Sequence, residues 1–164
     1  LTFISAPNFE VPTDVGGNNV YDVTVQVSDG ALTDTQAIAV TVANINEAPS
    51  GTNKTITTLE DATYTFTTAD FGFTDVDSNA LLKVWFDTIP NSGTLLWNGS
   101  AFAAGNWIAA VDITTGQLTY QPAVNVNGFS IASFTFRVQD DGGTANGGSD
   151  TDPTAIRLTS TSVP

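Results

Sequence analysis

The residues best suited to chemistry lie in one short segment, Asn44-Ile45-Asn46-Glu47-Ala48-Pro49. Asn44, Asn46 and Glu47 offer side-chain oxygens, and Pro49 removes a backbone donor that could continue a preceding strand. Oxygen ligands at such a junction suit a hard cation held between two domains. The same residue types are typical of a polar turn between domains. The spacing leaves both interpretations open.

Composition limits the metal chemistry and the partners. The 164 residues include 17 acids and 4 bases, for a net charge of −13, and no Cys, His or Met. These absences exclude disulfides, zinc sites, thiol nucleophiles and catalysis by histidine, and they leave oxygen ligands for a metal. The acids are mostly Asp in turns, where short carboxylates cap the backbone or gather around Ca²⁺.

The same charge bears on where the protein acts. An acidic surface repels nucleic acid and anionic membranes, and no apolar run approaches the roughly 20 residues of a membrane span. We therefore expect neither nucleic-acid binding nor membrane insertion. An acidic chain without Cys fits a bacterial exported protein.

Strands are the elements that would position these residues. Val, Ile, Thr, Phe and Tyr are plentiful, and Gly, Asn and Asp interrupt the runs about every ten residues, which predicts an all-β fold. Residues 1–46 contain strand-like runs over 1–5, 21–28 and 36–43, with a hairpin turn at Asp29-Gly30. Three strands are too few for a sandwich, so we expect the C-terminal part of a domain with an uncovered edge or face. Such a surface predicts pairing with another copy or packing on something outside the chain.

Residues 53–164 contain enough strands for a complete antiparallel β-sandwich, and residues 47–52 form the linker region before it. The predicted strands cover 54–58, 63–67, 81–87, 93–97, 117–120, 133–139 and 155–160. Residues 112–116 predict a single helical turn, capped by Asp112 and ended by Gly116. A turn cluster over 75–79 and a Gly-rich loop around Asp150 and Asp152, expected to be solvated, separate the strands.

Short motifs in a defined order resemble the cadherin-like repeats of very large bacterial surface and secreted adhesins. The second half of one repeat is matched by residues 7–10, 25–30 and 44–49, and a complete repeat by residues 59–61, 73–77, 90–99 and 136–143. The resemblance implies Ig-like sandwiches joined end to end, with Ca²⁺ bound at the junction. It covers most of the chain.

This resemblance assigns the candidate metal ligands position by position. From the first repeat and the linker they are Asn8, Glu10, Asn44, Asn46 and Glu47. From the second repeat they are Asp75, Asp77, Asn79 and Asp140, with Asp141 as the alternative to Asp140. Asn at 8 and 44 replaces the Asp that is commoner in the family, so the set accommodates one or two ions better than three. Asp29 and Glu60 would serve further junctions on either side.

The resemblance implies a calcium-rigidified structural or adhesive segment of an extracellular, multi-repeat bacterial protein, with neighbouring repeats as its partners. Asp75 and Asp77 could instead be simple turn formers, and Asp140 and Asp141 solvated loop acids. The alternative function is a carbohydrate-binding module that uses Trp85, which alternation places outward beside Lys83. Trp97 is expected in the core, and Trp107 in the core or in loop packing. A carboxylate pair such as Asp75 and Asp140 lacks the cleft that glycoside hydrolysis needs, so we expect no enzyme.

Overall fold

Alternating apolar and polar residues form strands along most of the chain. The computed structural model describes residues 1–164 and contains eleven β-strands, one α-helix and two short 3₁₀ helices. The chain divides into two units, Leu1–Ile45 and Asn46–Pro164, so residues 47–52 fall within the second unit. The predicted all-β class is confirmed.

The first unit contains one antiparallel hairpin. Strand β1 (Val20–Ser28) pairs with β2 (Thr33–Thr41) in unbroken register. The Asp29 carboxylate accepts the backbone N–H groups of Ala31 and Leu32 at 2.9 and 2.8 Å, which forms the predicted turn. Residues 1–5 form no strand, so that prediction is wrong; Phe3 instead packs edge-on against Tyr21 of β1.

The second unit is a sandwich of a five-stranded and a four-stranded sheet. In spatial order, the five-stranded sheet contains β3 (Lys54–Leu59), β11 (Ile156–Val163), β10 (Gly128–Asp140), β5 (Leu81–Phe86) and β8 (Asn106–Ala109). The four-stranded sheet contains β4 (Tyr64–Thr65), β9 (Leu118–Gln121), β6 (Thr94–Trp97) and β7 (Ser100–Ala101). Strands β3 and β11 pair in parallel, and the other pairs are antiparallel. This arrangement is an Ig-like β-sandwich.

Aromatic side chains from both layers form the core of the sandwich. Phe71, Phe86 and Phe136 are fully buried, and the rings of Phe71 and Phe136 meet at right angles with centroids 5.0 Å apart. Leu118 and Tyr120 complete the core from the four-stranded sheet. Edge-to-face pairs of this kind stabilise a core by about 1 kcal/mol each beyond the area they bury.

Two local predictions were wrong in detail. The helix α1 covers Ala110–Thr114 and begins after Ala109, so Asp112 lies in its first turn and does not cap it. Gly116, with φ of 76°, follows the helix as expected. The edge strands β7 and β8 were not predicted, because they span only two and four residues.

The predicted strand over 63–67 is shortened by a buried carboxylate. A 3₁₀ turn over Thr68–Phe71 follows β4, and Asp70 accepts the N–H of Thr67 at 2.8 Å and the Lys54 ammonium at 2.9 Å. Burial acts to raise the pKa of Asp70, but the bonds from Thr67 and Lys54 outweigh it and hold the pKa below its usual range. Burial and the Asp70 charge raise the pKa of Tyr64 to about 12. This network fixes the end of the four-stranded sheet.

Candidate metal site

The side chain of Asn46 attaches the linker to the second unit. Its Nδ2 lies 2.7 Å from the Ser149 carbonyl, 3.1 Å from the Gly143 carbonyl and 3.2 Å from Asp140 Oδ1. The backbone carbonyl of Asn46 accepts the Ser149 N–H at 2.8 Å. Asn46 therefore holds the loop after β10 against the start of the domain.

The turn over residues 75–79, which follows the 3₁₀ helix Thr68–Phe71, lies on the other side of Asn46. Asp75 Oδ1 accepts the Asn79 N–H at 2.9 Å, and Asn79 Nδ2 donates to Asn46 Oδ1. Ser78, with φ of 66°, bends this turn. Asp75 is thus the turn former that residue types alone suggest, yet only one of its oxygens is used in that way.

Asp140 is the most deeply buried acid of the cluster, with 1% of its surface exposed. Its Oδ1 accepts the Gly142 N–H at 2.8 Å, whereas Oδ2 is buried without a hydrogen-bond partner, as is Oδ2 of Asp75. Burial raises the pKa of the Asp140 carboxyl, and the negative charges of Asp75 and Asp150 raise it further against the bonds from Gly142 and Asn46. Two buried carboxylate oxygens without partners, on residues whose charges act on each other, need a cation or a proton.

A second pair of acids lies beside the linker. The Glu47 N–H donates to Asp77 Oδ2 at 2.8 Å, and carboxylate oxygens of the two residues lie within 4.8 Å of each other. Ser50 and Thr74 exchange backbone hydrogen bonds at 2.8 and 2.9 Å and hold the linker beside this turn. Because Asp75 and Asp77 belong to one turn, the two acidic pairs are neighbours.

The structure distinguishes the two adjacent acids at the end of β10. Asp140 points inward, whereas Asp141 is exposed and its Oδ1 accepts the Ala80 N–H at 2.8 Å. The backbone of Asp141 also donates to the Ala80 carbonyl at 3.1 Å. Of the two alternatives, Asp140 has a buried oxygen without a partner, whereas Asp141 fixes the loop.

The remaining predicted ligands belong elsewhere in the chain. Asn8, Glu10 and Asn44 lie in the first unit, where Asn8 Oδ1 accepts the Glu10 N–H at 2.8 Å, and their role as ligands stays a prediction. Asp29 lies in the exposed hairpin turn, where the N–H groups of its own loop lower its pKa. Glu60 accepts the Asn127 side-chain amide at 2.8 Å, and its role at a further junction stays a prediction.

Sequence reasoning missed several groups around this site. The carbonyls of Gly143 and Ser149 carry no residue-type signal, because any residue can offer one. Asp152 was expected to be solvated, but it is 3% exposed, and its two oxygens accept the N–H groups of Gly51 and Thr154 at 2.8 Å. Asp152 therefore closes the loop onto the start of the domain.

The tryptophans agree with prediction only in part. Trp85 points outward between buried Val84 and Phe86, as alternation predicts, and is 38% exposed. Trp107 is 51% exposed, because its neighbour Ile108 takes the inward position on β8. Trp97 is 43% exposed at the last residue of β6, so the core placement expected for it was wrong. Trp107 lies on a strand and faces outward, so neither the core nor the loop packing expected for it was right.

The comparisons with known proteins bear on the fold family. The α-helix spans five residues, and no helix has the length and apolar character needed to cross a membrane. No curated protein and no solved structure gives a significant match to the chain. Residues 46–159 match the family described as the bacterial Ig domain. Because this match spans more than half of the sequence, the chain belongs to the bacterial Ig domain family.

Proposed function

We propose that the second unit binds Ca²⁺ at its linker end, and that it serves as a calcium-stiffened spacer in an extracellular multi-repeat protein. Bacterial Ig domains are typically structural repeats without catalytic activity, and they usually occur in surface or secreted proteins. The proposal adds the ion and the mechanical role. It retains the cadherin-like interpretation of the linker motif.

The observation that carries the proposal is the Asp140 carboxylate, which is 1% exposed and has an unpartnered Oδ2. Asp75 also has a buried Oδ2 without a hydrogen-bond partner. The negative charge of Asp75 is close enough to raise the pKa of Asp140. A divalent cation would satisfy both oxygens and neutralise their repulsion. The donor set of carboxylates and amide oxygens favours Ca²⁺, which accepts 6–8 oxygens in flexible geometry, over Mg²⁺, which demands a near-ideal octahedron.

The mechanical consequence follows from what the ligands hold. Asn46 and Glu47 begin the domain, and they already contact the Asp140 loop and the Asp77 turn. An ion shared by these acids would lock residues 46–50 onto the sandwich and fix the direction in which the chain enters it. We propose one or two ions, with Asn8, Glu10 and Asn44 as further ligands from the preceding unit.

The proposed setting is the bacterial cell surface or the extracellular space. The partners would be neighbouring repeats of the same protein, with homo-association through the exposed hairpin of the first unit as an additional contact. A net charge of −13 opposes nucleic acid and anionic membranes as partners.

The test is a calorimetric titration of the chelator-stripped full chain with Ca²⁺, beside thermal melts with and without the ion. We expect binding of one or two ions, a raised Tm, and slower amide exchange over residues 46–50. Mg²⁺ at the same concentration is the matched control and should bind at least tenfold more weakly. Absence of heat and of a Tm shift would overturn the calcium proposal and leave Asp75 as a turn former.

A further inference from the structure

The few basic side chains of this acidic chain are concentrated on one surface. Three of the four lie on the outer face of the five-stranded sheet: Lys83 on β5, Arg137 on β10 and Arg157 on β11. On each of these strands an adjoining residue is buried: Val84 beside Lys83, Phe136 and Val138 beside Arg137, and Ile156 and Leu158 beside Arg157. Alternation therefore directs all three basic side chains outward. The fourth, Lys54, is held by Asp70.

Two exposed tryptophans lie in the same region. Trp107, Trp85 and Arg137 are directly opposite one another on three neighbouring strands, β8, β5 and β10. The Lys83 ammonium lies 4.8 Å from the centroid of the Trp107 ring. We call Lys83, Trp85, Trp107 and Arg137 the tryptophan face.

The two basic side chains of this face differ in how their charges are balanced. Lys83 forms no salt bridge, although the chain has 17 acids. Its ammonium group lies over the ring of Trp107. Arg137 is fixed in place by Asp87 at 3.2 Å and by the Pro153 carbonyl at 3.2 Å. A guanidinium that is already ordered loses little further entropy when it binds a ligand.

We propose that the tryptophan face binds an acidic saccharide, such as a segment of a uronate-containing polysaccharide. The C–H face of a sugar ring would pack on the exposed aromatic surface, and a ring carboxylate would pair with Lys83 or Arg137. The face spans three strands, about 10 Å, which suits a short oligosaccharide. Nucleic acid fits poorly because it carries a phosphate at every nucleotide, whereas this face offers two basic side chains.

Fluorescence and calorimetric titrations of the full chain test this inference. The probe is a galacturonate oligosaccharide, and the experiment is run in EDTA so that the calcium site cannot contribute. The reference ligand is a neutral galactose oligosaccharide of the same length. In a Trp97→Phe background, only Trp85 and Trp107 report, and we expect their emission to change with the acidic ligand.

The variants separate stacking from charge. Trp85→Ala and Trp107→Ala should each lower affinity at least tenfold, whereas Trp97→Ala, which removes an equally exposed tryptophan from the other sheet, should leave it unchanged. Lys83→Gln should weaken the acidic ligand about fivefold or more. Circular dichroism melts verify that each variant is folded.

Three results would overturn the inference. They are no binding at millimolar ligand, equal affinity for the neutral oligosaccharide, and equal affinity for a poly-glutamate peptide that offers charge without a sugar ring. The calcium proposal would be unaffected by any of them, since the titrations exclude the ion.

Discussion

Replacing Asp140 with Asn should change stability in opposite directions with and without calcium. In the ion-free protein, burial raises the pKa of this carboxyl, so the ionised group at pH 7 lowers the free energy of unfolding. The amide introduced by Asp140→Asn would keep the acceptor for the Gly142 N–H and remove an unpartnered anionic oxygen. We expect the ion-free variant to gain about 1 kcal/mol, or a rise in Tm of about 4 °C.

In saturating Ca²⁺ the same change would remove a proposed ligand. At a calcium concentration 100 times Kd, the bound ion stabilises the wild-type protein by about 2.7 kcal/mol. Loss of one carboxylate ligand should weaken binding about 30-fold, which corresponds to ~2 kcal/mol. At the same calcium concentration the variant would then gain only about 0.9 kcal/mol, so its calcium-induced rise in Tm falls from about 11 °C to about 4 °C.

Asp152→Asn is the matched control for scanning calorimetry with and without calcium. Asp152 is as buried as Asp140, at 3% exposure, but both its oxygens accept N–H groups, from Gly51 and Thr154. An amide nitrogen cannot accept such a bond, so the control should lose about 2 kcal/mol without the ion and keep the full calcium-induced rise. If Asp140→Asn destabilises the ion-free protein and keeps the wild-type calcium response, the assignment of Asp140 as a ligand is refuted.

Two further changes test the groups that hold the linker and the sheet end. Gly142→Ala should lower the free energy of unfolding by about 1–3 kcal/mol and weaken calcium binding, because the new methyl group would overlap the Asn46 side-chain oxygen. Urea melts measure the change in stability. Unchanged stability would contradict the close packing of Gly142 against Asn46. Asp70 has a lowered pKa in the folded state, so the stability it contributes is present above about pH 4 and lost as the pH falls below that value. Asp70→Asn should accordingly be less stable than wild type at pH 7 by about 2 kcal/mol, and urea melts at pH 3 should show a smaller difference. An equal difference at both pH values would show that Lys54 and Thr67 do not favour the charged form.

Alternation predicted the fold well where strands are long and one face is buried. Strand β10 buries Phe134, Phe136 and Val138 in turn, and its partners β5 and β11 lie within a few residues of their predicted bounds. The class and the number of long strands followed from this pattern. Residues 1–5 show its limit, because a short run of strand-forming residue types becomes a strand only where a neighbouring strand accepts its hydrogen bonds.

Burial of single side chains was harder to predict at the ends of strands. Trp97 lies on the same face of β6 as buried Leu95, yet it is exposed beside the Asn98-Gly99 turn. Asp152 shows the converse: it is polar and yet buried, because its carboxylate accepts backbone N–H groups such as that of Gly51. Both outcomes depend on which segment covers the strand end, and the sequence of the strand itself does not contain that information.

The position of Asp140 gives the strongest physical reason to regard the site as functional. Along β10 the inward positions are Ala132, Phe134, Phe136 and Val138, and the next inward position is Asp140. A pattern that buries every second residue therefore places a carboxylate where the core would accept an apolar side chain. A domain selected for stability alone would gain by replacing that acid, because an ionised group buried beside the charge of Asp75 lowers the free energy of unfolding. The acid at this position is accounted for when a cation that also contacts the linker supplies the missing charge.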